Sequence, residues 1–136
     1  METKYNNDQH QVYLHLTDRV GGNWLEVFEG NTEFYSAAYW DLLTKIWRHG
    51  EPVRKTDALG FMTAIKSPHT AGKYVESCLE QGLIVETDNP DDARSKLLVL
   101  APDMRDRLDA FFDRAITEVR LANREVDIKG PSPEEP

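Results

Sequence analysis

The sequence has a single cysteine, Cys78, in 136 residues. An internal disulfide is therefore excluded, and nothing in the cysteine usage asks for an oxidising compartment. No apolar run approaches the length of a membrane span, and the stretch Met1–His10 is polar rather than signal-like, so a cytoplasmic protein with no membrane partner is expected. Glycine-rich phosphate loops are missing, and no nucleophile stands at motif spacing from a base. His10, His15, His49 and His69 share no metal-ligand spacing. Asp106, Asp109 and Asp113 repeat at helical spacing and read as a solvated face rather than an acid/base pair. These absences argue against an enzyme, a cofactor and a metal site.

Excess positive charge is also lacking: the formal net charge is −8. The distribution matters more than the sum. Residues 44–73 carry 6 basic and 2 acidic side chains, while residues 1–43 carry 2 and 7. A basic segment thus sits inside an acidic chain. By itself such a segment is as readily a solvated face as a nucleic-acid footprint.

What is present is a hydrophobic fraction of 40%, enough for one domain with its own core. Val12, Leu16, Val20, Trp24, Val27 and Phe28 fit one helical face, and Gly21-Gly22 predicts a break or kink in that helix. Phe34, Tyr35, Ala38, Tyr39, Leu42, Leu43 and Ile46 predict a second helix, capped by Asn31 or Thr32 and stopped by Gly50. A short helix is expected from about Lys55 to Met62, with Leu59 and Met62 as core contacts. Ser67-Pro68 is a strong helix start, followed by the apolar stripe Ala71, Tyr74, Val75, Cys78 and Leu79 and closed by Gly82. Leu83-Ile84-Val85 and Lys96-Leu97-Leu98-Val99-Leu100 read as two strands joined by the turn-forming Asp88-Asn89-Pro90-Asp91-Asp92. Pro102 opens a last helix whose stripe runs through Met104, Leu108, Phe111, Phe112, Ala115, Ile116, Val119 and Ala122. So long a stripe on so small a domain asks for a partner helix, most simply from a second copy.

Helix, short helix, serine-capped helix, two-stranded wing and long helix follow the order of a winged helix-turn-helix, a mainly α fold with a small β-hairpin wing. From about Thr32 to Leu108 the chain resembles the MarR (multiple antibiotic resistance regulator) family. The likeness is carried by Asn89-Pro90-Asp91-Asp92-Ala93-Arg94-Ser95-Lys96-Leu97-Leu98-Val99-Leu100, which is similar to that family's wing. It is carried also by Ser67-Pro68-His69-Thr70 through Leu79-Glu80-Gln81-Gly82-Leu83-Ile84, which is similar to its recognition helix and exit. Ala93 stands where the family has its first wing arginine, Ala101 and Met104 replace the usual threonine and glycine after the wing, and the stretch Val53 to Lys66 is longer than usual.

The resemblance implies a DNA-binding transcriptional regulator that acts on double-stranded DNA as a homodimer, often under a small-molecule effector. It places Ser67, His69, Thr70 and Lys73 on the DNA-reading face, Arg94 on the wing, and Asp92 as the residue that orients Arg94. Lys66 and Lys96 are further candidate DNA contacts from their positions beside that helix and in that wing. One domain is expected over 1–128, with a DNA-binding part at about 32–100, dimerisation helices at about 8–30 and 102–126, and a disordered tail at 129–136. The alternative is a winged-helix module that has lost DNA binding and docks a protein; the acidic balance and Ala93 favour it, and the basic segment with Arg94 opposes it. Cys78 lies on an apolar stripe and reads as a small buried hydrophobe rather than a peroxide-sensing thiol. Trp24, Trp40, Trp47 and Tyr39 read as packing residues rather than the lining of an effector pocket.

Overall fold

The computed structural model describes residues 1–133. Its elements follow the chain as α1 (Asn7–Val27), a 3-10 turn (Thr32–Phe34), α2 (Ala37–His49), β1 (Val53–Arg54), α3 (Lys55–Leu59), α4 (Pro68–Glu80), β2 (Ile84–Asp88), β3 (Lys96–Leu100) and α5 (Pro102–Lys129). They form two compact units, Asn31–Leu108 and, separately, residues 1–30 with the segment from Asp109 onward. No helix among the described residues is long and apolar enough to cross a membrane.

In the unit Asn31–Leu108, Ser36 caps α2 by accepting from the Tyr39 N–H, and Gly50 ends it at φ 76°. The single helix expected from residue 32 is therefore two elements, because Asn31 caps only the 3-10 turn and extended Ser36 restarts the chain. The short helix expected to Met62 ends at Leu59, yet Met62 is in the core at 1% exposure while Leu59 is half-buried. The long stretch before α4 begins with β1, which pairs antiparallel with β3 (Val53↔Leu98, Arg54↔Leu97) and makes a three-stranded sheet of order β1-β3-β2. The hairpin register Ile84↔Leu100 to Asp88↔Lys96 places the turn at residues 89–95. Leu42, Leu43, Val75, Cys78, Leu98 and Leu108 are fully buried.

In the other unit, α1 is one unbroken helix through Gly21-Gly22. The break expected there does not occur: Val12, Trp24 and Val27 form one buried face, and that burial outweighs a glycine cost of about 1 kcal/mol each. Trp24 packs edge-on against Phe28 and Phe111. Arg19 pairs with Glu118, and Arg114 pairs with Glu26. At the start of α1, Asn6 and Gln9 form a capping box. The same two side chains reach far along the sequence. Asn6 donates to the Lys129 carbonyl, and buried Gln9 donates to the carbonyls of Val126 and Pro131. A Cβ at Gly130 would collide with both side chains. The tail expected to be disordered from 129 is thus held through Pro131, and residues 134–136 lie outside the described residues.

Candidate nucleic-acid interface

The α4 helix is built to show one face and bury the other. Ser67 stands before it with extended backbone, its Oγ accepting the Thr70 N–H at 3.3 Å, and Pro68 supplies the first turn. Ala71, Val75 and Cys78 are at most 1% exposed. On the outer side His69, Thr70 and Lys73 are exposed, with Lys66 exposed just before the helix. His69, Lys73, Glu76 and Glu80 follow one another at helical spacing, so the outer line mixes a cation with two carboxylates. Among the described residues Lys66 and Lys73 have no ion-pair partner.

The wing turn is shaped by its own side chains. Asn89 Oδ1 accepts the Asp91 N–H at 2.9 Å, and Asp92 Oδ1 accepts the Arg94 N–H at 3.0 Å. Asp92 also lies 3.6 Å from Arg94 Nε, while the Arg94 side chain remains 94% exposed. Asp92 thus meets both the backbone and the side chain of an exposed arginine in this turn. Lys96 differs from the expectation of a DNA-facing cation. Its Nζ meets the carboxylate of its cross-strand neighbour Asp88, which holds the lysine pKa up and the aspartate pKa down.

Two further sets of contacts hold α4, and neither was visible as a pattern in the sequence. Lys55 Nζ lies 2.9 Å from Glu76 on α4 and 2.9 Å from Glu86 on β2. These hydrogen bonds, Glu76 first, raise the Lys55 pKa. Next along the helix, the Ser77 hydroxyl donates to Glu33 at 3.2 Å, and Tyr39 Oη lies 3.0 Å from Ser77 and 3.2 Å from the same carboxylate. Burial is the main reason the Tyr39 phenol is held above its ordinary pKa. Only the spacing of Tyr39 on its helix hinted at this; its hydroxyl partners come from remote segments.

The remaining candidates fall as follows. Cys78 is fully buried, and burial, helped by Glu33, pushes its thiol up to about 12. Trp24 is buried at 3% exposure, Trp47 lies under the Arg105 guanidinium at 5.1 Å, and Trp40 is 40% exposed. Among the described residues no group of three His, Cys, Asp or Glu side chains is placed to hold a metal.

No protein-family model matches the chain, and no curated protein matches its sequence. Solved structures do match. RV1404 from Mycobacterium tuberculosis is similar with a TM-score of 0.66 at 19% identity, over 96% of this chain and 86% of that one. MepR from S. aureus, in a mutant form bound to an oligodeoxyribonucleotide, is similar with a TM-score of 0.60 at 12% identity, over 90% and 80%. The transcriptional regulator Tm0710 from Thermotoga maritima is similar with a TM-score of 0.57 at 18% identity, over 85% and 78%. The fold shared with these structures is a winged helix, mainly helical with a small three-stranded antiparallel sheet.

Proposed function

We propose that this protein is a non-enzymatic transcriptional regulator that binds double-stranded DNA as a homodimer. In this reading α4 enters the major groove, where Ser67, His69, Thr70 and Lys73 meet base edges and phosphate, with Lys66 on the flanking backbone. Arg94, steadied by Asp92, reaches the minor groove or its phosphates. Lys96 is a weaker contact, since binding phosphate would mean giving up Asp88. The observation that carries the reading is a capped helix with a fully buried back and an exposed polar front, followed by a wing whose arginine is 94% exposed. The DNA-bound MepR structure, of similar fold, supports it.

Homodimerisation is supported by apolar surface left open on α5. Ile116 and Val119 are 59% and 53% exposed, and Leu121 and Ile128 are exposed as well. A second copy would cover them and set two α4 helices about 34 Å apart, one turn of DNA.

The test is a salt titration of binding to selected genomic fragments and to random duplex. Each phosphate contact steepens the log–log salt slope by about 0.9. Arg94→Ala should weaken binding to every sequence and flatten the slope by about one contact per protomer. Substitutions at His69 or Thr70 should narrow the gap between specific and random DNA by about 1–3 kcal/mol per lost base contact. Wild-type protein with no salt-dependent binding to any duplex, or Arg94→Ala binding as tightly as wild type, refutes the mechanism. The first result would put the protein-docking alternative in its place.

A further inference from the structure

We propose that Lys55 is a positioning residue which, by pairing at once with Glu76 and Glu86, ties α4 to the wing strand β2 and masks the carboxylate that would otherwise face DNA phosphate. The masking half of this proposal rests on the DNA-binding reading; the tie between α4 and β2 does not.

The outer line of α4 holds one lysine, Lys73, and two glutamates, Glu76 and Glu80. Left alone, that face is net negative and repels a phosphate backbone. Lys55 changes this at Glu76. Its ammonium sits 2.9 Å from Glu76 and 2.9 Å from Glu86, with both hydrogen-bonded contacts to carboxylates. Two-thirds of the lysine side chain is covered, at 33% exposure, whereas Glu76 is 57% exposed. The covered partner is the cation and the outward partner is the anion. A lysine engaged by two carboxylates is poorly placed to serve as a phosphate contact itself. Its backbone is fixed too, because Lys55 follows β1 directly and β1 is bonded to β3. The clamp thus spans three segments of the chain: the β1–α3 junction, the recognition helix and the wing.

The experiment measures binding of a fixed mixed-sequence duplex by wild type, K55Q, E76Q, the K55Q/E76Q double variant and K55R, with folding verified by circular dichroism. Unmasking one carboxylate at the DNA face should make K55Q bind about tenfold more weakly, most visibly at low salt. E76Q should bind at least as tightly as wild type, and the double variant should recover to within about threefold of E76Q, because the charge to be masked is gone. K55R should retain most of the affinity. A double variant as weak as K55Q would mean that Lys55 touches DNA or acts only on stability, and K55Q binding like wild type would mean there is nothing to mask; either overturns the masking. Urea unfolding of the same set supplies an arm without DNA. Non-additive effects at positions 55 and 76 support the clamp, and strictly additive effects overturn it. Wild type that binds no duplex refutes the DNA-binding reading and the masking with it, while the unfolding cycle still decides the clamp.

Discussion

Replacing Cys78 with alanine should change how stability responds to alkali, and the size of the change follows from the burial of one thiol. The side chain is fully buried, and its pKa is pushed from 9.0 up to about 12. In the unfolded chain the thiol ionises near its ordinary value, so above pH 9.0 the unfolded state gains from losing a proton that the folded state keeps. The stability tied to this group is therefore intact below that pH and is lost as pH rises toward about 12. The loss is about 1.4 kcal/mol per pH unit, or about 4 kcal/mol over the window. Tyr39 and Lys55, whose pKa values are raised from 10.0 and 10.5, add losses of the same sign that begin within this window. The Cys78→Ala difference separates the thiol from them. The assay is urea denaturation of both proteins, followed by tryptophan fluorescence, at several pH values between neutral and about pH 11. At neutral pH the variant should be less stable by about 1 kcal/mol, the cost of a small cavity. Above pH 9.0 its curve should be flatter than the wild-type curve by about 1.4 kcal/mol per unit. At about pH 8 the folded thiol should be a thiolate about a thousandfold less often than the unfolded one, so thiol reagents and peroxide should reach it only through opening of the fold. Parallel pH curves for the two proteins, or native-state labelling as fast as in urea, would refute this reasoning and reopen a sensing role for Cys78.

Changing Ile116 and Val119 together to glutamate should give a folded monomer by sedimentation, since both are exposed in the single chain and surface substitutions cost within about 0.5 kcal/mol. Phe111, at 2% exposure, is unsuited to that test, because a charge there should unfold the unit rather than separate two copies. Wild type that sediments as a monomer at micromolar concentration would refute the dimer. Gly22→Ala should raise stability by about 0.5–1 kcal/mol, because Gly22 is interior to α1 and a Cβ there meets nothing within 4 Å. A thermal melt showing a loss instead would mean that Gly22 faces a contact made only in the assembly.

The parts of the fold that could be read from the sequence are those fixed by neighbouring residues. Ser67-Pro68 announces α4, the Asn89–Asp92 turn announces the hairpin, and Gly50 and Gly82 sit at positive φ where their helices stop. The parts that could not be read depend on distant partners. Two residues cannot declare themselves a strand, and Val53–Arg54 is one only because Leu97 and Leu98 are there to pair with. Gly21-Gly22 looked like a break because propensity is local, while the burial of Trp24 and Val27 that keeps α1 continuous is not. The candidate interface divides in the same way. Spacing alone set His69, Thr70 and Lys73 opposite the apolar stripe of α4 and Arg94 in the turn between the strands, while a role toward DNA came from the family resemblance. The pairing of Lys96 with Asp88 needed the strand register, and the reach of Lys55 to Glu76 and Glu86 needed the folded chain.

The hydrogen bond from Asn6 to the carbonyl of Lys129 joins groups 123 positions apart. This has a consequence for the order in which the protein can be made. The segment Asn31–Leu108 is continuous, so a growing chain can close that unit as soon as its last strand and the start of α5 have left the ribosome. Residues 1–30 are made before that unit, yet they wait longer. The α1 helix has its start box, but its partners Phe111, Glu118 and the carbonyls of Val126, Lys129 and Pro131 come only as α5 and the residues just after it are synthesised. During that interval Val12, Trp24 and Val27 form an apolar face with no cover from the later segment, while the unit bearing α4 and the wing is already complete. A segment translated before the Asn31–Leu108 unit thus reaches its final surroundings after it.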